Sequence, residues 1–166
     1  MFKLKVISKG SIEHALERAE RYRLLNEPGQ AESICQDILA IDSGNQQALV
    51  MLLLALTDRF SKRYSISGTQ PEDLLPRLQS EYERVYYAGL ILERRGKSKL
   101  EKSSFPGAES AAYALFVEAM SCYEKAEALR SAGNDDAVLR WNTCARIIMQ
   151  NKLTPLTDDS GEQFLE

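Results

Sequence analysis

The chain has 166 residues, of which 44% are hydrophobic and 27% charged, a composition typical of a single soluble globular domain. A net charge of -3 at pH 7 excludes a general electrostatic attraction to nucleic acid or to an anionic membrane. Three distant cysteines, an odd number, favour reduced thiols over a disulfide framework. Residues 1–10 lack the apolar core of a secretory signal, and the most apolar run, residues 48–56, is about half a membrane span in length. These features predict a cytoplasmic protein with no nucleic-acid or membrane partner.

Residues 1–10 are predicted to form an extended N-terminal arm. Phe2, Leu4 and Val6 are apolar and alternate with lysines, and a period of two is typical of a strand or an extended segment. A single strand in a helical chain has no sheet to join. We therefore expect the arm to pack along a helix or to pair with a second copy of itself.

Six helices are predicted in residues 11–152, because apolar residues recur there every three or four positions between breaks rich in Gly, Ser and Pro. Residues 153–166 are polar and acidic, which predicts a flexible C-terminal tail. The breaks inside the domain are expected at residues 65–70 and 96–107. The predicted helices span about residues 11–25, 28–42, 46–60, 71–95 with a kink at Pro76, 108–130, and 134–152 with Asn134 as the N-cap.

Residues 31–45 carry the clearest helix pattern. Ala31, Cys35, Ile38 and Leu39 fall on one apolar stripe, and the Asp-Ser-Gly-Asn sequence that follows is a helix stop. A helix of this length cannot bury its stripe alone. The pattern therefore predicts a partner helix and a stack of helix pairs.

Residues 12–45 form a 34-residue unit that resembles a tetratricopeptide repeat (TPR), with Ala19, Tyr22 and Ala31 at its small, aromatic and first-alanine positions. A half-repeat resembling its second helix lies at residues 118–129. The matching residues of this half-repeat are Ala119, Tyr123, Ala126 and Leu129. The positions that depart from the pattern in the first unit are Arg18, Cys35, Ile38 and Ser43.

The resemblance implies an all-α fold of antiparallel helix pairs, stacked as a short, TPR-like right-handed superhelix of about six helices. It also implies that a protein or peptide binds on the concave face formed by the first helix of each pair. One subgroup of the family clamps a terminal carboxylate with Lys and Asn. Leu16 and Glu20 stand at the matching positions here, and neither can hold an anion, so we do not expect that function.

Residues that share the apolar stripes are expected to form the core. Small residues such as Ala19 and Gly89 are expected to let paired helices approach closely. The predicted core includes Ala19, Tyr22, Ala31, Cys35, Ile38, Leu52, Leu56, Tyr82, Ala119, Tyr123, Ala126 and Trp141.

The sequence gives no positive support for catalysis. His14 is the only histidine, and no cysteine or second ligand stands at a spacing that would make it a base or a metal ligand. The chain also has no glycine-rich phosphate loop and no nucleophile elbow. We therefore predict no catalytic residue, no metal site and no cofactor.

The predicted function is that of a non-catalytic protein- or peptide-binding module, a scaffold or an adaptor. The first alternative is a small chaperone dedicated to one client protein. A less favoured alternative is an enzyme or a ligand-binding regulator with its site on the tyrosine-rich helices 4 and 5. The basic segment of residues 94–102 could hold an acidic partner, but we interpret it as cations at the C-terminal end of helix 4. The predicted partner-binding residues are Glu20, Tyr86, Tyr87, Arg94 and Arg95.

Self-association is predicted from two features. Helix 3 is apolar nearly all round, which is more apolar surface than one flank of a small bundle hides. The N-terminal arm adds a strand-like segment without a sheet. Either feature would be covered in a two-fold homodimer, paired through helix 3 or through the arm.

Overall fold

The computed structural model describes residues 1–60, 68–102, 104 and 106–156 of the chain. Within these ranges the prediction of an all-α fold is confirmed, because every regular element is a helix. None of the described helices combines the length and the apolar content that crossing a bilayer requires. The α-helices are α1 (Ile12–Leu24), α2 (Pro28–Ile41), α3 (Gln46–Thr57), α4 (Glu81–Glu101), α5 (Ala108–Leu129) and α6 (Asp136–Gln150), and short 3-10 segments cover Lys9–Ser11 and Pro71–Arg77.

Local chemistry explains several of the helix ends. Asn26 adopts a left-handed conformation (φ 61°) after α1, and the chain reverses there into α2. Pro28 lies in the first turn of α2, where its missing N–H would have had no helical partner. The side chains of Asn45 and Ser80 accept backbone N–H groups at the starts of α3 and α4, at 2.9 and 3.2 Å.

Consecutive helices pack against each other in antiparallel pairs. α1 packs on α2 and α2 on α3, while α4 packs on α5 and α5 on α6. This arrangement creates two buried clusters. The first lies among α1, α2, α3 and the 3-10 segment Pro71–Arg77. The second lies among α4, α5 and α6 and is centred on Phe116 and Tyr123.

The two halves of the domain meet along α4. Ile91 and Tyr87 project from α4 into the first cluster, although most of the apolar face of α4 belongs to the second. Asp58, just after α3, pairs with Arg23 of α1 at 2.7 Å and with Arg94 of α4. The contact between the halves is therefore partly apolar and partly ionic.

The predicted fourth helix, residues 71–95, is wrong at both ends. Pro76 lacks an N–H, and the chain forms only the 3-10 segment before Leu78 becomes extended (ψ 133°). α4 begins at Glu81 and runs on to Glu101, through part of the predicted break at residues 96–107. Gly96 lies inside α4 rather than at its end, and a Cβ at this position would lie 3.0 Å from the ring of Phe116. Gly96 thus permits close packing of α4 on α5.

Smaller corrections apply elsewhere. α3 ends at Thr57 rather than at residue 60, and Asp135 rather than Asn134 is the N-cap of α6. Residues 1–8 contain no strand, but Ile7 packs on the first cluster and anchors the arm to the domain. Leu153 is buried against the second cluster, so the packed domain extends past residue 152. Residues 65–67 of the predicted loop and residues 157–166 of the predicted tail lie outside the described residues.

The predicted core agrees well with the observed burial. Tyr22, Tyr82 and Trp141 are half-buried against the two clusters instead of fully enclosed. The buried residues among those predicted are Ala19, Ala31, Cys35, Ile38, Leu52, Leu56, Ala119, Tyr123 and Ala126.

Candidate functional site

A groove of about 480 Å³ lies between α1, α3 and the start of α4. Half-buried apolar side chains form its floor, and these same residues pack on the first cluster beneath. Carboxylates from α1 and α4 stand around it. We name this surface the acidic groove; it is lined by Glu13, Leu16, Glu17, Glu20, Gln46, Gln47, Val50, Met51 and Glu83.

Helix periodicity places the acidic wall. Glu13, Leu16, Glu17 and Glu20 follow the spacing i, i+3, i+4 and i+7, so one face of α1 presents three carboxylates beside one leucine. Ala19 lies away from this face and is fully buried. One face of α1 therefore packs in the core, and the adjacent face of the same helix lines the acidic groove.

The charges of the acidic groove are unbalanced. No lysine or arginine lines it, and none of its four carboxylates forms an ion pair within the described part of the chain. Three of the carboxylates lie three or four residues apart on α1, a spacing at which like charges repel each other. A cationic ligand would relieve that repulsion.

The five predicted partner-binding residues do not come together. Only Glu20 lines the acidic groove. Arg94 and Arg95 are both held by acids of the same chain, Arg94 by Asp58 and Arg95 by Glu72. The guanidinium of Arg95 also lies 5.3 Å from the centre of the Phe60 ring.

Tyr86 and Tyr87 belong to an aromatic cluster on α4. Tyr86 stacks on Tyr82, with ring centres 5.6 Å apart, and meets Tyr87 edge-on at 5.1 Å. Both tyrosines are half-buried. Burial raises the pKa of Tyr87 to about 12, and the charge of nearby Glu83 adds to this rise, so Tyr87 stays protonated near neutral pH. A partner contact through either tyrosine stays a prediction.

Three of the five basic residues in the predicted segment 94–102 face another surface. Arg95, Lys99 and Lys102 line a second groove, of about 700 Å³, together with Phe60 and the start of α5. The ammonium of Lys102 donates to the carbonyl of Phe60 at 3.3 Å.

A buried charged cluster lies inside the second half of the domain. Glu93 is fully buried and accepts hydrogen bonds from Tyr123 at 2.6 Å, from Lys97 and from Arg140 at 3.2 Å. Burial alone would raise the pKa of Glu93, but the hydrogen bonds from Lys97 and Tyr123 outweigh it and hold the pKa below its usual value. Burial and the Glu93 charge raise the pKa of Tyr123. We name these four residues the Glu93 cluster.

The burial of two acids, Glu32 and Glu93, is not predicted from the sequence. Glu32 is fully buried and pairs with the buried Arg59, which follows α3. The sequence does contain a signal that Glu93 is buried. Glu93 lies on the same helix stripe as Gly89, four residues before it, and Gly96, three residues after it. Two glycines on one face indicate close packing, so a charge between them has to be buried and paired.

Two of the cysteines behave as core residues. Burial raises the pKa values of Cys35 and Cys144 to about 12, so both are protonated thiols at neutral pH. Cys122 is half-buried, and burial raises its pKa as well. Within the described ranges, no three His, Cys, Asp or Glu side chains are placed to share a metal ion.

Comparison with models of known protein families, with curated proteins and with solved structures finds no match to this chain. The likeness of residues 12–45 and 118–129 to a tetratricopeptide repeat therefore rests on the residues that carry it. The function has to follow from the chemistry of the surfaces described above.

Proposed function

We propose that this protein is a non-catalytic binding module whose acidic groove docks a basic, amphipathic segment of another protein. The observation that carries the proposal is the unpaired set of four carboxylates around an apolar floor. An amphipathic segment with lysine or arginine would cover the floor with its apolar side chains and meet the acids with its charges. A smaller groove of about 290 Å³ also joins acids, Glu124 and Glu127, to apolar side chains, but Glu124 accepts a hydrogen bond from Trp141 and Glu127 pairs with Arg130.

The two parts of the groove have different energetic roles. Covering Leu16, Val50 and Met51 removes apolar surface from water, which supplies affinity at roughly 25 cal/mol per Å² before the cost of ordering the peptide is subtracted. The carboxylates are exposed enough to be screened by salt. Their contribution is to accelerate association and to exclude acidic segments.

The position of the groove agrees with the family resemblance. α1 is the first helix of the repeat-like unit of residues 12–45, and α3 begins the unit that follows. The resemblance implies ligand binding on the face formed by such first helices. A scaffold or adaptor role follows from this placement, and a chaperone for one basic client would use the same groove.

The enzyme alternative, with a site on helices 4 and 5, has less support. Glu93 is the acid there with a shifted pKa, but its carboxylate already accepts three hydrogen bonds and is fully buried. A carboxylate held in this way cannot reach a substrate. We interpret the Glu93 cluster as structural.

The test is a titration with a fluorescein-labelled peptide of eight residues that alternates Leu and Lys, followed by fluorescence anisotropy. The variant Glu17→Gln/Glu20→Gln removes two groove charges. The matched control, Glu109→Gln/Glu118→Gln, removes two exposed carboxylates from α5. We expect the groove variant to weaken binding roughly 2- to 30-fold, since exposed ion pairs contribute about 0.2–1 kcal/mol each, and the control to bind as wild type does.

Added salt should weaken peptide binding to wild type more than to the groove variant, because screening acts on the charges that the variant lacks. A peptide that alternates Leu and Glu should not bind. Equal affinity of wild type and groove variant, or equal losses in the groove and control variants, would show that the acidic groove is not the site.

A further inference from the structure

The N-terminal arm is an exposed apolar segment of the described chain. Phe2, Leu4 and Val6 are 106%, 87% and 80% exposed, although each would favour burial. Lys3 and Lys5 alternate with them. In an extended conformation the apolar side chains share one side of the arm and the lysines point to the other. The arm is thus itself a basic, amphipathic segment.

We propose that the arm of one copy of this protein docks in the acidic groove of a second copy. Because each copy carries both an arm and a groove, the exchange is reciprocal and gives a two-fold dimer with two identical contacts. This inference rests on the proposed function of the groove and names its occupant.

The chemistry of the arm complements that of the groove. The three apolar side chains of the arm match the floor of Leu16, Val50 and Met51. The lysines of the arm can pair with the carboxylates of the groove, because the aliphatic part of a lysine can lie along the apolar floor while its ammonium reaches the carboxylates around it. No acidic residue occurs among residues 1–12, so nothing in the arm opposes the groove charge.

The spacing of the charges also agrees. Alternate residues of an extended chain are separated by roughly 6.7 Å, which is the distance between the Lys3 and Lys5 positions. On a helix, residues four and three apart are separated by roughly 6.0 and 4.5 Å along the axis, the steps from Glu13 to Glu17 and from Glu17 to Glu20. An arm laid along α1 can therefore bring both lysines near carboxylates at once.

The connection between arm and domain favours exchange over folding back. Ile7 packs on the first cluster, and the N–H and hydroxyl of Ser11 donate to the carbonyl of Ser8 at 3.1 and 2.7 Å. These contacts fix the chain just before α1 begins. Phe2, Leu4 and Val6 are exposed in this arrangement, and no arm residue lines the groove of its own chain, so we place the arm in the groove of a second copy.

The experiment uses charge reversal in the full chain. The arm variant is Lys3→Glu/Lys5→Glu and the groove variant is Glu17→Lys/Glu20→Lys. The matched control is Lys125→Glu/Lys152→Glu, which reverses two exposed lysines elsewhere. Sedimentation equilibrium from micromolar to near-millimolar concentration reports the mass, and circular dichroism checks that each variant is folded.

Wild type and the control should approach twice the chain mass of 18.7 kDa as the concentration rises. The arm variant and the groove variant should each stay at the mass of one chain. In the first, an acidic arm faces the acidic groove; in the second, the lysines of the arm face the Glu17→Lys/Glu20→Lys pair on α1. An equimolar mixture of the two should dimerise again, since the acidic arm then meets the Glu17→Lys/Glu20→Lys pair and the basic arm meets the unchanged acidic groove. A cis-docked arm would give no such rescue.

Three results would overturn the inference: a wild-type protein of single-chain mass throughout, a dimer that survives reversal of the arm, or a mixture that stays monomeric. The peptide titration separates this failure from that of the proposed function. If the Leu-Lys peptide binds wild type but not the groove variant, and no dimer forms, the groove binds basic segments and only its occupant is wrong. If the peptide does not bind and no dimer forms, both proposals fail.

Discussion

The hydroxyl of Tyr123 donates a 2.6 Å hydrogen bond to the carboxylate of Glu93, and both side chains are fully buried between α5 and α4. A buried carboxylate loses its hydration, which is a cost of several kcal/mol unless donors replace the water. Lys97 and Arg140 supply the remaining hydrogen bonds. The contact therefore fixes the register of α4 against α5, because a shift of either helix would leave the charge short of a donor.

Replacing Tyr123 with Phe tests this contact. The substitution keeps the ring in the core and removes only the hydroxyl, so Glu93 loses one donor. We expect the free energy of unfolding to fall by about 1–3 kcal/mol, the cost of leaving a buried polar group short of a partner. The measurement is urea unfolding followed by circular dichroism. Tyr113→Phe is the control, since Tyr113 is half-buried on the same helix and its hydroxyl forms no hydrogen bond with the described part of the chain. Equal losses in the two variants would contradict the prediction.

The pH dependence of stability should carry a signature of Glu93. Burial opposes ionisation of this carboxyl, but the hydrogen bonds from Lys97 and Tyr123 hold its pKa below the usual 4.5 in the folded protein. The ionised form therefore stabilises the fold above pH 4.5, and this contribution is lost as the pH falls through the folded pKa. The variant Glu93→Gln has no ionisable group at this position, so it lacks this contribution at every pH.

We thus expect wild type and Glu93→Gln to differ most in free energy of unfolding near neutral pH and to converge as the solution is acidified below pH 4.5. Urea unfolding at a series of pH values measures the difference. Glu118→Gln, which changes an exposed carboxyl on α5, should follow wild type throughout. A constant gap between wild type and Glu93→Gln across the series would be inconsistent with a lowered pKa at Glu93.

Gly89 should tolerate no larger side chain. A Cβ at this position would lie 2.9 Å from the ring of Tyr123 and 3.1 Å from the Cβ of Cys122. The ring cannot move freely because its hydroxyl is bonded to Glu93. We expect Gly89→Ala to destabilise the protein by about 1–3 kcal/mol, although alanine favours a helix more than glycine does. Gly44→Ala, at an open position with no atom within 4 Å, should cost little, and a stable Gly89→Ala would mean that α4 and α5 are further apart.

The sequence predicts those parts of the fold that depend on local pattern. Ala19, Ala31 and Gly89 each lie on the apolar stripe of their own helix, so their burial follows from periodicity. Periodicity also places three carboxylates on one face of α1. Periodicity cannot predict that Glu83 lies beside these carboxylates, because the position of Glu83 depends on the 3-10 segment that precedes α4.

Long-range partners are the part that the sequence does not predict. The glycines on its stripe indicate that Glu93 is buried, but they do not identify its partners Tyr123 and Arg140, which lie 30 and 47 residues further along the chain. Arg94 has a similar explanation, since Asp58 is 36 residues away. A charged residue is expected at the surface unless its distant partner is known.

Arg94 and Arg95 are adjacent but should differ in their effects. Arg94 donates to the hydroxyl of Thr57 at 2.7 Å and to the carbonyl of Leu54 at 3.2 Å, and it pairs with Asp58. It thereby satisfies polar groups at the C-terminal end of α3, where cations are favoured. Arg95 instead pairs at the surface, with about 40% of its side chain exposed.

We expect Arg94→Met to lower the free energy of unfolding by about 1–3 kcal/mol, because several acceptors lose their donor while the aliphatic stem remains. Arg95→Met should cost at most about 1 kcal/mol, as exposed ion pairs do. Thermal and urea unfolding of the two variants measure this contrast, and the Leu-Lys peptide titration is repeated on both. If Arg94→Met melts like wild type but alters peptide affinity, Arg94 is a partner-binding residue, and the structural role argued here is wrong.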